Sequence, residues 1–276
     1  MSEAVFQSES VFVTLPEEFL AVLTIDRPKA LNALNAQTLH ELDQAITAIE
    51  TLGTAVRCVI VTGGGDRAFV AGADIAEMST MTSEEAFAFG TLGNRVFRRL
   101  ENLRCPVIAA VNGFCLGGGL ELALSCGLRV ASESARFAAP EVTLGILPGY
   151  GGTQRLARII GITLANELIF TGRQVDAQYM LDKGMLNAVY PDHASTMEGA
   201  FALARSVAKN APIGVALAKQ AINVGMQMDI DSGVQLESNC FSRAFATEDQ
   251  TIGMRNFLEK RGSRKNPTPK DPFIGK

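Results

Sequence analysis

Residues 106–126, PVIAAVNGFCLGGGLELALSC, carry the clearest fold signal in the chain. The first residue is a proline, and the five that follow are small or β-branched apolar residues, which predicts a short buried strand over residues 106–111. Three consecutive glycines, Gly117 to Gly119, then open a segment that is apolar nearly all round and is typical of a buried helix. A strand followed closely by a glycine-started helix favours an α/β fold.

Strand and helix signals alternate on both sides of this stretch. A helix capped by Asn35 and ended by Gly53 follows two N-terminal strands, and beyond about Gly152 the pattern becomes mostly helical. The sequence therefore predicts an α/β region followed by a helical region, with no close internal repeat. Predicted strands cover residues 11–15, 19–25, 58–61, 106–111, 128–131 and 136–138; later predicted helices cover 94–103, 117–126, 200–209, 214–228 and parts of 241–260.

The composition excludes several classes of function. The 276 residues carry a net charge of -4, so the chain lacks the basic excess that nucleic-acid binding requires. Five cysteines without a C-x-x-C pair predict neither a disulfide framework nor a metal site. Two separated histidines, His40 on the polar side of a helix and His193 in a loop, do not support a Ser-His-Asp triad. With no signal peptide and no apolar stretch of membrane-spanning length, the chain is expected to be cytoplasmic, without a membrane partner.

Two glutamates stand in unusually apolar surroundings. Glu121 follows the glycine triplet within an apolar helix, and Glu141 follows Pro140 and precedes a glycine-rich apolar run. A buried carboxylate is costly unless it is paired, protonated or functional. The residues alone leave two interpretations about equally open: ordinary charges at the edges of their elements, or a functional pair.

The glycine triplet also predicts an anion site. Backbone N–H groups at a helix start have no intrahelical partner and lie in a locally positive field, so Gly117 to Gly119 are suited to an oxyanion. Small residues in the segment 69–74 would let a ligand approach a second set of amides. Tight packing of helix on strand is the simpler alternative. A nucleotide phosphate loop is disfavoured, because neither the lysine nor the glycine spacing of such loops is present.

Several ordered segments together resemble the enoyl-CoA hydratase, or crotonase, family, over residues 10 to 262. Any one of them is weakly specific, but their order and spacing are typical of that superfamily. The presence of both Glu121 and Glu141 resembles the hydratase branch of that superfamily. The matching segments are Leu31–Asn35, Ala71–Ile75, Asn112–Glu121, Pro140–Leu156, Thr247–Gln250 and Phe257–Lys260.

The resemblance implies a crotonase-like spiral of repeated ββα units. The spiral catalytic core is expected over residues 1–199, a helical trimerisation region over 200–262, and a flexible tail over 263–276. It also implies a homotrimer, or a homohexamer built as a dimer of trimers.

The resemblance further implies reversible addition of water to a short trans-2-enoyl-CoA, which gives a 3-hydroxyacyl-CoA. Glu121 and Glu141 would hold the water, the amides of Ala73 and Gly118 would form the oxyanion hole, and Gly149 would add a backbone contact to the water. No cofactor or metal is expected, since the CoA thioester is itself the substrate.

Contacts to CoA are implied for seven residues, the last two contributed by a neighbouring subunit: Lys29, Ala30, Ala71, Asp74, Ile75, Phe257 and Lys260. One position departs from the family. Many members carry lysine directly after Ala-Asp-Ile, where this chain has Ala76. A phosphate contact from that position is therefore not expected.

Three alternatives stay open at this level. A Δ3,Δ2-enoyl-CoA isomerase of the same superfamily needs only one carboxylate, and a non-catalytic RNA-binding or scaffold protein on the same fold needs neither. A dinucleotide-dependent oxidoreductase is the weakest. The apolar residues between Met78 and Phe89 either line the binding site of the acyl chain or pack within a helix. The sequence does not reveal which acyl chain length is preferred.

Overall fold

A computed structural model describes residues 3–262 and 271–276, with side chains over residues 4–259 and 271–276. Two sheets form the body, with strands numbered in chain order. The larger sheet has, side by side, β1 (Glu3–Gln7), β2 (Val11–Glu17), β3 (Phe19–Ile25), β4 (Val56–Gly63), β6 (Val107–Val111), β8 (Leu128–Ser132) and β11 (Ala188–Tyr190). The smaller sheet has β10 (Val175–Asp176), β9 (Arg136–Ala138), β7 (Phe114–Leu116) and β5 (Ala68–Val70).

Eleven helices complete the described part of the chain. They are α1 (Ala36–Thr51), α2 (Ile75–Met78), α3 (Ser83–Glu101), α4 (Gly118–Ser125), α5 (Gly152–Ile160), α6 (Ile162–Thr171), α7 (Ala177–Asp182), α8 (His193–Ala208), α9 (Pro212–Gly225), α10 (Ile230–Ala244) and α11 (Glu248–Gly262). The predicted cap of α1 is confirmed, since the Asn35 side chain accepts a hydrogen bond from the Thr38 amide.

Successive strand pairs alternate between the two sheets. β4, β6 and β8 lie in the larger sheet, while the strands that follow them, β5, β7 and β9, lie in the smaller one. Neighbouring strands within each set run parallel. Since each pair leads into helical structure, the chain advances as a spiral of ββα units, and the predicted α/β class and spiral fold are confirmed.

The parallel part of the larger sheet is covered on both faces, as parallel sheets require. All eight residues of β4 are buried. Helix α8 packs its small residues Ala200, Ala204 and Ala208 against one face of the sheet. The opposite face packs against α1 and α3, whose buried residues include Leu39, Ile46 and Phe97.

Several elements differ from the predictions, and strands β5, β7, β10 and β11 had no predicted counterpart. Strand β1 was not predicted, because its short polar-edged run has little apolar signal. Helix α3 begins at Ser83 rather than Asn94, since Thr82 and Glu85 form a reciprocal capping box. Helix α8 begins at His193, the residue predicted in a loop, because Asp192 caps it. The predicted domain boundary between residues 199 and 200 therefore falls inside α8, which packs on the core.

The end of the chain docks on the body. The Ile274 amide donates to Asp249 Oδ1 at 2.7 Å, and Arg57 Nη2 donates to the Phe273 carbonyl at 2.7 Å. Asp249 is 1% exposed and Arg57 is 7% exposed, so each needs these partners. The flexible tail expected over 263–276 is thus corrected for residues 271–276, and residues 263–270 lie outside the described part.

Across the described residues, no helix combines the length and the apolar character needed to cross a membrane.

Candidate active site

Glu121 lies one turn into α4, a helix whose eight residues are all buried. Its side chain is 2% exposed. Its Oε1 accepts hydrogen bonds from the amides of Tyr150 (2.8 Å) and Gly152 (2.7 Å). Its Oε2 accepts none from the residues that the structure describes. One carboxylate oxygen is therefore anchored and the other is left for a further partner.

Glu141 begins a 3-10 turn directly after β9 and is 9% exposed. Its Oε2 is buried, and no described residue lies within hydrogen-bonding reach of it. Its Oε1 lies 2.9 Å from the position that a Cβ on Gly117 would occupy, and Gly117 has a φ of 50°. A side chain at residue 117 would therefore be strained and would collide with the carboxylate.

Burial perturbs both carboxyl groups. Burial raises the pKa of Glu121 to about 7; the Gly152 and Tyr150 amides oppose this rise, and the neighbouring Glu141 charge adds to it. Burial likewise raises the pKa of Glu141. A carboxyl group whose pKa is raised in this way is suited to exchange protons in general acid–base catalysis.

Two amide groups lie beside this pair. The position of a Cβ on Gly118 is 3.4 Å from the Ala73 nitrogen. Ala73 pairs with Leu34 in an isolated parallel bridge, in which the bonds are made by Gly72 and Asp74, so its own N–H is left over. Gly118 is the first residue of α4, where helix geometry leaves the N–H unpaired. The predicted amides thus lie together, in an arrangement able to stabilise an oxyanion.

Gly149 lies in the turn that anchors Glu121. Its carbonyl oxygen accepts a hydrogen bond from Asn94 Nδ2 at 2.7 Å. Nothing lies within 4 Å of the position of a Cβ on Gly149, so there is open space beside its α-carbon. The predicted contact of its amide with a water stays a prediction.

Five of the seven residues predicted to bind CoA belong to one cluster. Lys29 and Ala30 form a 3-10 turn, and the Ala71 amide donates to the carbonyl of the adjoining Leu31 at 3.1 Å. Asp74 caps α2, whose first residue, Ile75, is 51% exposed. Asp74 also pairs with Arg27 Nη2 at 3.3 Å. The turn before α1 and the turn before α2 are thereby joined beside Ala73.

The other two residues predicted to bind CoA are on α11, in the C-terminal helical region. Phe257 is 58% exposed. The side chain of Lys260 lies outside the described residues. Ala76, at the position where a lysine is common, is an exposed residue of α2 and carries no charge.

The groups that hold Glu121 were not predicted from the sequence. The two donors are backbone amides of Tyr150 and Gly152, and only the glycine run 149–152 pointed to a special turn there. Arg155 Nη1 donates to the Tyr150 carbonyl at 2.8 Å and Nη2 pairs with Glu101 at 3.1 Å. The contacts of Glu121 with this turn and of Arg155 with Glu101 join residues 29 to 54 apart in sequence, which patterns in a single sequence do not report.

No group of three or more His, Cys, Asp or Glu side chains in the described part of the chain is arranged to hold a metal ion.

Comparisons with known proteins agree with this geometry. The sequence profile described as Enoyl-CoA hydratase/isomerase matches residues 16–265. The chain is 54% identical over 242 residues to the short-chain-enoyl-CoA hydratase of Clostridium acetobutylicum, covering 88% of this chain and 92% of that protein. It is 49% identical over 245 residues to the crotonyl-CoA hydratase of Syntrophomonas wolfei, covering 89% and 94%.

A solved structure gives the same result at the level of the fold. The enoyl-CoA hydratase of Bacillus anthracis superposes with a TM-score of 0.90 at 37% identity, covering 97% of this chain and 100% of that chain. The profile match and the full-length relatives together show that this chain belongs to the enoyl-CoA hydratase/isomerase family.

Proposed function

We propose that this protein is an enoyl-CoA hydratase, a lyase that adds water reversibly to short trans-2-enoyl-CoA thioesters to give 3-hydroxyacyl-CoA. One observation carries the proposal: two buried glutamates with raised pKa values adjoin the same glycine segment, beside the amides of Ala73 and Gly118. The names of the relatives from Clostridium acetobutylicum and Syntrophomonas wolfei support the hydration of short substrates.

The amide pair would stabilise the charge that develops during addition. When the water oxygen bonds to carbon 3, electron density moves to the thioester oxygen. The N–H groups of Ala73 and Gly118 would donate to that oxygen and require no side-chain chemistry. Removing one donor of this kind typically costs roughly 3–4 kcal/mol in the transition state.

The two glutamates would position and activate the water. Glu121 keeps Oε1 on the Tyr150 and Gly152 amides, so Oε2 is the oxygen available to accept a water proton. Glu141 would deliver a proton to carbon 2, and the Gly149 amide would help to hold the water. Because each carboxyl affects the other, they would titrate as a coupled pair. The addition changes no overall oxidation level, so the proposed reaction needs no redox cofactor.

The cluster around Lys29, Ala30, Ala71, Asp74 and Ile75 would hold the CoA portion of the substrate. Its position next to Ala73 supports this, because the thioester and the nucleotide handle must be bound together. Lys29 would supply a positive charge for a phosphate. Phe257 and Lys260 would be contributed by a neighbouring subunit.

A homotrimer, or a homohexamer made of two trimers, would supply that neighbour. The outer faces of α9 and α10 expose large apolar side chains around a cavity of about 640 Å³. Monomeric proteins rarely leave such patches open. The exposed residues that support an interface are Ile222, Met226, Ile230, Val234 and Phe241.

The proposal is tested with crotonyl-CoA and no added cofactor, by following the loss of absorbance of the conjugated enoyl thioester. Glu121→Gln and Glu141→Gln are each expected to lower kcat by about 100-fold to 10,000-fold, the usual contribution of a general acid or base. Glu84→Gln, an exposed glutamate on α3, is the matched control and should behave as the wild type.

A folded oligomeric wild type that hydrates neither crotonyl-CoA nor a longer enoyl-CoA would refute the hydratase. Conversion of a 3-enoyl-CoA under the same conditions would then identify the isomerase.

A further inference from the structure

One peptide group links Glu121 to a side chain on the outside of the site. The N–H of Tyr150 donates to Glu121 Oε1 at 2.8 Å. The carbonyl of Gly149, which belongs to the same planar peptide, accepts from Asn94 Nδ2 at 2.7 Å. Turning this peptide about its long axis would break both bonds together. Asn94 and Glu121 are therefore coupled through a single rigid unit.

Asn94 is itself fixed on a well-packed helix. It lies on α3, and its Nδ2 also donates to the Gly90 carbonyl one turn earlier, at 3.0 Å. The opposite face of α3 is buried in the core through Val96, Phe97 and Leu100. Asn94 is exposed, so its side chain is held by these two hydrogen bonds and not by burial.

The two donors to Glu121 are held in different ways. The peptide that carries the Gly152 N–H is fixed by the start of α5, because the Gly151 carbonyl accepts from the amides of Gln154 and Arg155. The peptide that carries the Tyr150 N–H has no such helical bond. Within the described residues, its carbonyl accepts a hydrogen bond from Asn94 alone.

We propose that Asn94 is a positioning residue for Glu121: it fixes the Gly149–Tyr150 peptide so that the N–H stays on Oε1 and Oε2 stays directed to the water. A donor on the carbonyl also polarises the peptide and strengthens its N–H as a donor. The role of the water rests on the proposed hydratase function, whereas the hold on Glu121 does not.

The charges around Glu121 determine the expected effect on its ionisation. It is faced by the Glu141 carboxylate, the Arg155 guanidinium and the Tyr150 phenol, whose own pKa is raised by burial. Asn94 is neutral, so its removal changes none of these charges. Since the Tyr150 amide lowers the pKa of Glu121, weakening that hydrogen bond raises the pKa further.

The test is Asn94→Ala, assayed for hydration of crotonyl-CoA across pH. Misplacement of a reacting group by remote changes costs up to about 100-fold, so we expect kcat to fall by about 10-fold to 100-fold. KM should stay near its wild-type value, because Asn94 is not among the residues proposed to bind CoA. The limb of the pH profile that belongs to Glu121 should move to higher pH, whether Glu121 acts as base or as acid.

Two companion variants separate positioning from mere stability. Asn94→Gln keeps the amide donor and should recover part of kcat and of the pH profile. Asn102→Ala, a matched change at the residue that follows α3, whose side chain makes no hydrogen bond with any residue that the structure describes, should leave both unchanged. A wild-type pH profile in Asn94→Ala would overturn the proposal, as would equal losses in Asn94→Ala and Asn102→Ala.

A direct titration keeps this result separate from the hydratase proposal. Isotope-edited infrared spectra can follow the carboxylate band that disappears in Glu121→Gln, without any turnover. A midpoint in Asn94→Ala above that of the wild type would support the positioning role even if no enoyl-CoA were hydrated. Equal midpoints would refute it, whatever the enzyme's activity.

Discussion

Glu41 and Glu121 are each only 2% exposed, but Glu41 lies near the protein surface and Glu121 lies deep in the interior, and their carboxyl groups behave in opposite ways. Glu41, on α1, accepts hydrogen bonds at both oxygens, from Gln37 Nε2 at Oε1 (2.8 Å), and from Ser8 Oγ and the Ser10 amide at Oε2, both at 2.9 Å. Glu121 accepts hydrogen bonds from two amides at Oε1, and its Oε2 accepts none from the described residues.

The pKa values follow from this difference in hydrogen bonding together with the greater depth of Glu121. Burial pushes the pKa of Glu41 up, but the hydrogen bonds from Gln37, Ser10 and Ser8 outweigh it and leave the pKa lowered. Burial of Glu121 is not outweighed, and its pKa rises to about 7. Burial alone therefore does not identify a functional carboxylate. A buried carboxylate with one oxygen that accepts no hydrogen bond is a better indication of function. Leaving that oxygen unpaired costs free energy, which a purely structural residue would avoid.

The largest expected change in stability comes from the Glu121 carboxyl group. The folded state holds the Glu121 proton up to a pKa of about 7, against 4.5 for the unfolded chain, so the contribution of Glu121 is fully present below pH 4.5 and is lost as pH rises through about 7. Glu121→Gln removes that loss and should stabilise the protein at pH 8.5 by roughly 3 kcal/mol relative to the wild type. Urea unfolding at fixed protein concentration measures the difference.

Glu41→Gln should change the stability in the opposite direction to Glu121→Gln. It removes a satisfied carboxylate and should destabilise the protein at pH 8.5 by about 1–3 kcal/mol. At pH 4 the gain from Glu121→Gln should vanish, because the wild-type Glu121 is then protonated. Equal shifts for both variants at pH 8.5 would contradict the contrast between the two glutamates.

The second effect concerns the glycine beside Glu141. Gly117→Ala places a methyl 2.9 Å from Glu141 Oε1 at a residue with φ of 50°. We expect it to displace the carboxylate and to lower kcat by about 10-fold to 100-fold. The backbone of Gly117, with φ of 50° and ψ of -121°, has a conformation that residues other than glycine rarely adopt, which costs about 1–3 kcal/mol of stability in addition.

Gly145→Ala is the matched control for that variant. Gly145 has φ of 77°, and nothing lies within 4 Å of the position of its Cβ. Because Gly145 has a left-handed helical conformation, the variant should lose about 1–2 kcal/mol of stability in thermal unfolding and keep its hydration rate. A normal rate in Gly117→Ala would show that Glu141 does not need its observed position.

The sequence predicted the proposed reacting groups of this site better than it predicted the groups that hold them in place. Glu121, Glu141, Ala73 and Gly118 belong to local motifs, and the structure brings them together. The anchors of Glu121 are backbone amides, which carry no residue signature, and Asn94 is an exposed helical residue with no distinguishing neighbours. Such contacts depend on how α3 packs against the turn at residues 149–152.

The same reason explains the errors in the fold. The α/β class followed from alternating strand and helix signals, whereas the spiral of ββα units was implied by the family resemblance. The six predicted strands end within two residues of their observed ends. The docked end of the chain was not found, because it depends on Arg57, which lies 216 residues from Phe273 in sequence. Local patterns reveal elements, whereas buried polar partners across such separations emerge only when the chain is folded.

The smallest expected effect comes from removing one donor to Glu41. Gln37→Ala deletes the hydrogen bond to Oε1 and leaves the two bonds to Oε2 in place. Gln37 is exposed, so the loss should be only about 0.5–1 kcal/mol in urea unfolding at pH 7. The pKa of Glu41 should rise toward its ordinary value.

The pH dependence of this loss is the decisive part. A lowered pKa stabilises the folded state above the unfolded value of 4.5, and that stability is lost as pH falls through the folded value. The difference between Gln37→Ala and the wild type should therefore shrink in acid. A loss that stays constant down to pH 3 would mean that Gln37 acts through contacts that do not depend on the charge of Glu41, since alanine is itself the better helix former. In that case, the satisfied state of Glu41 would depend on Ser8 and Ser10 alone.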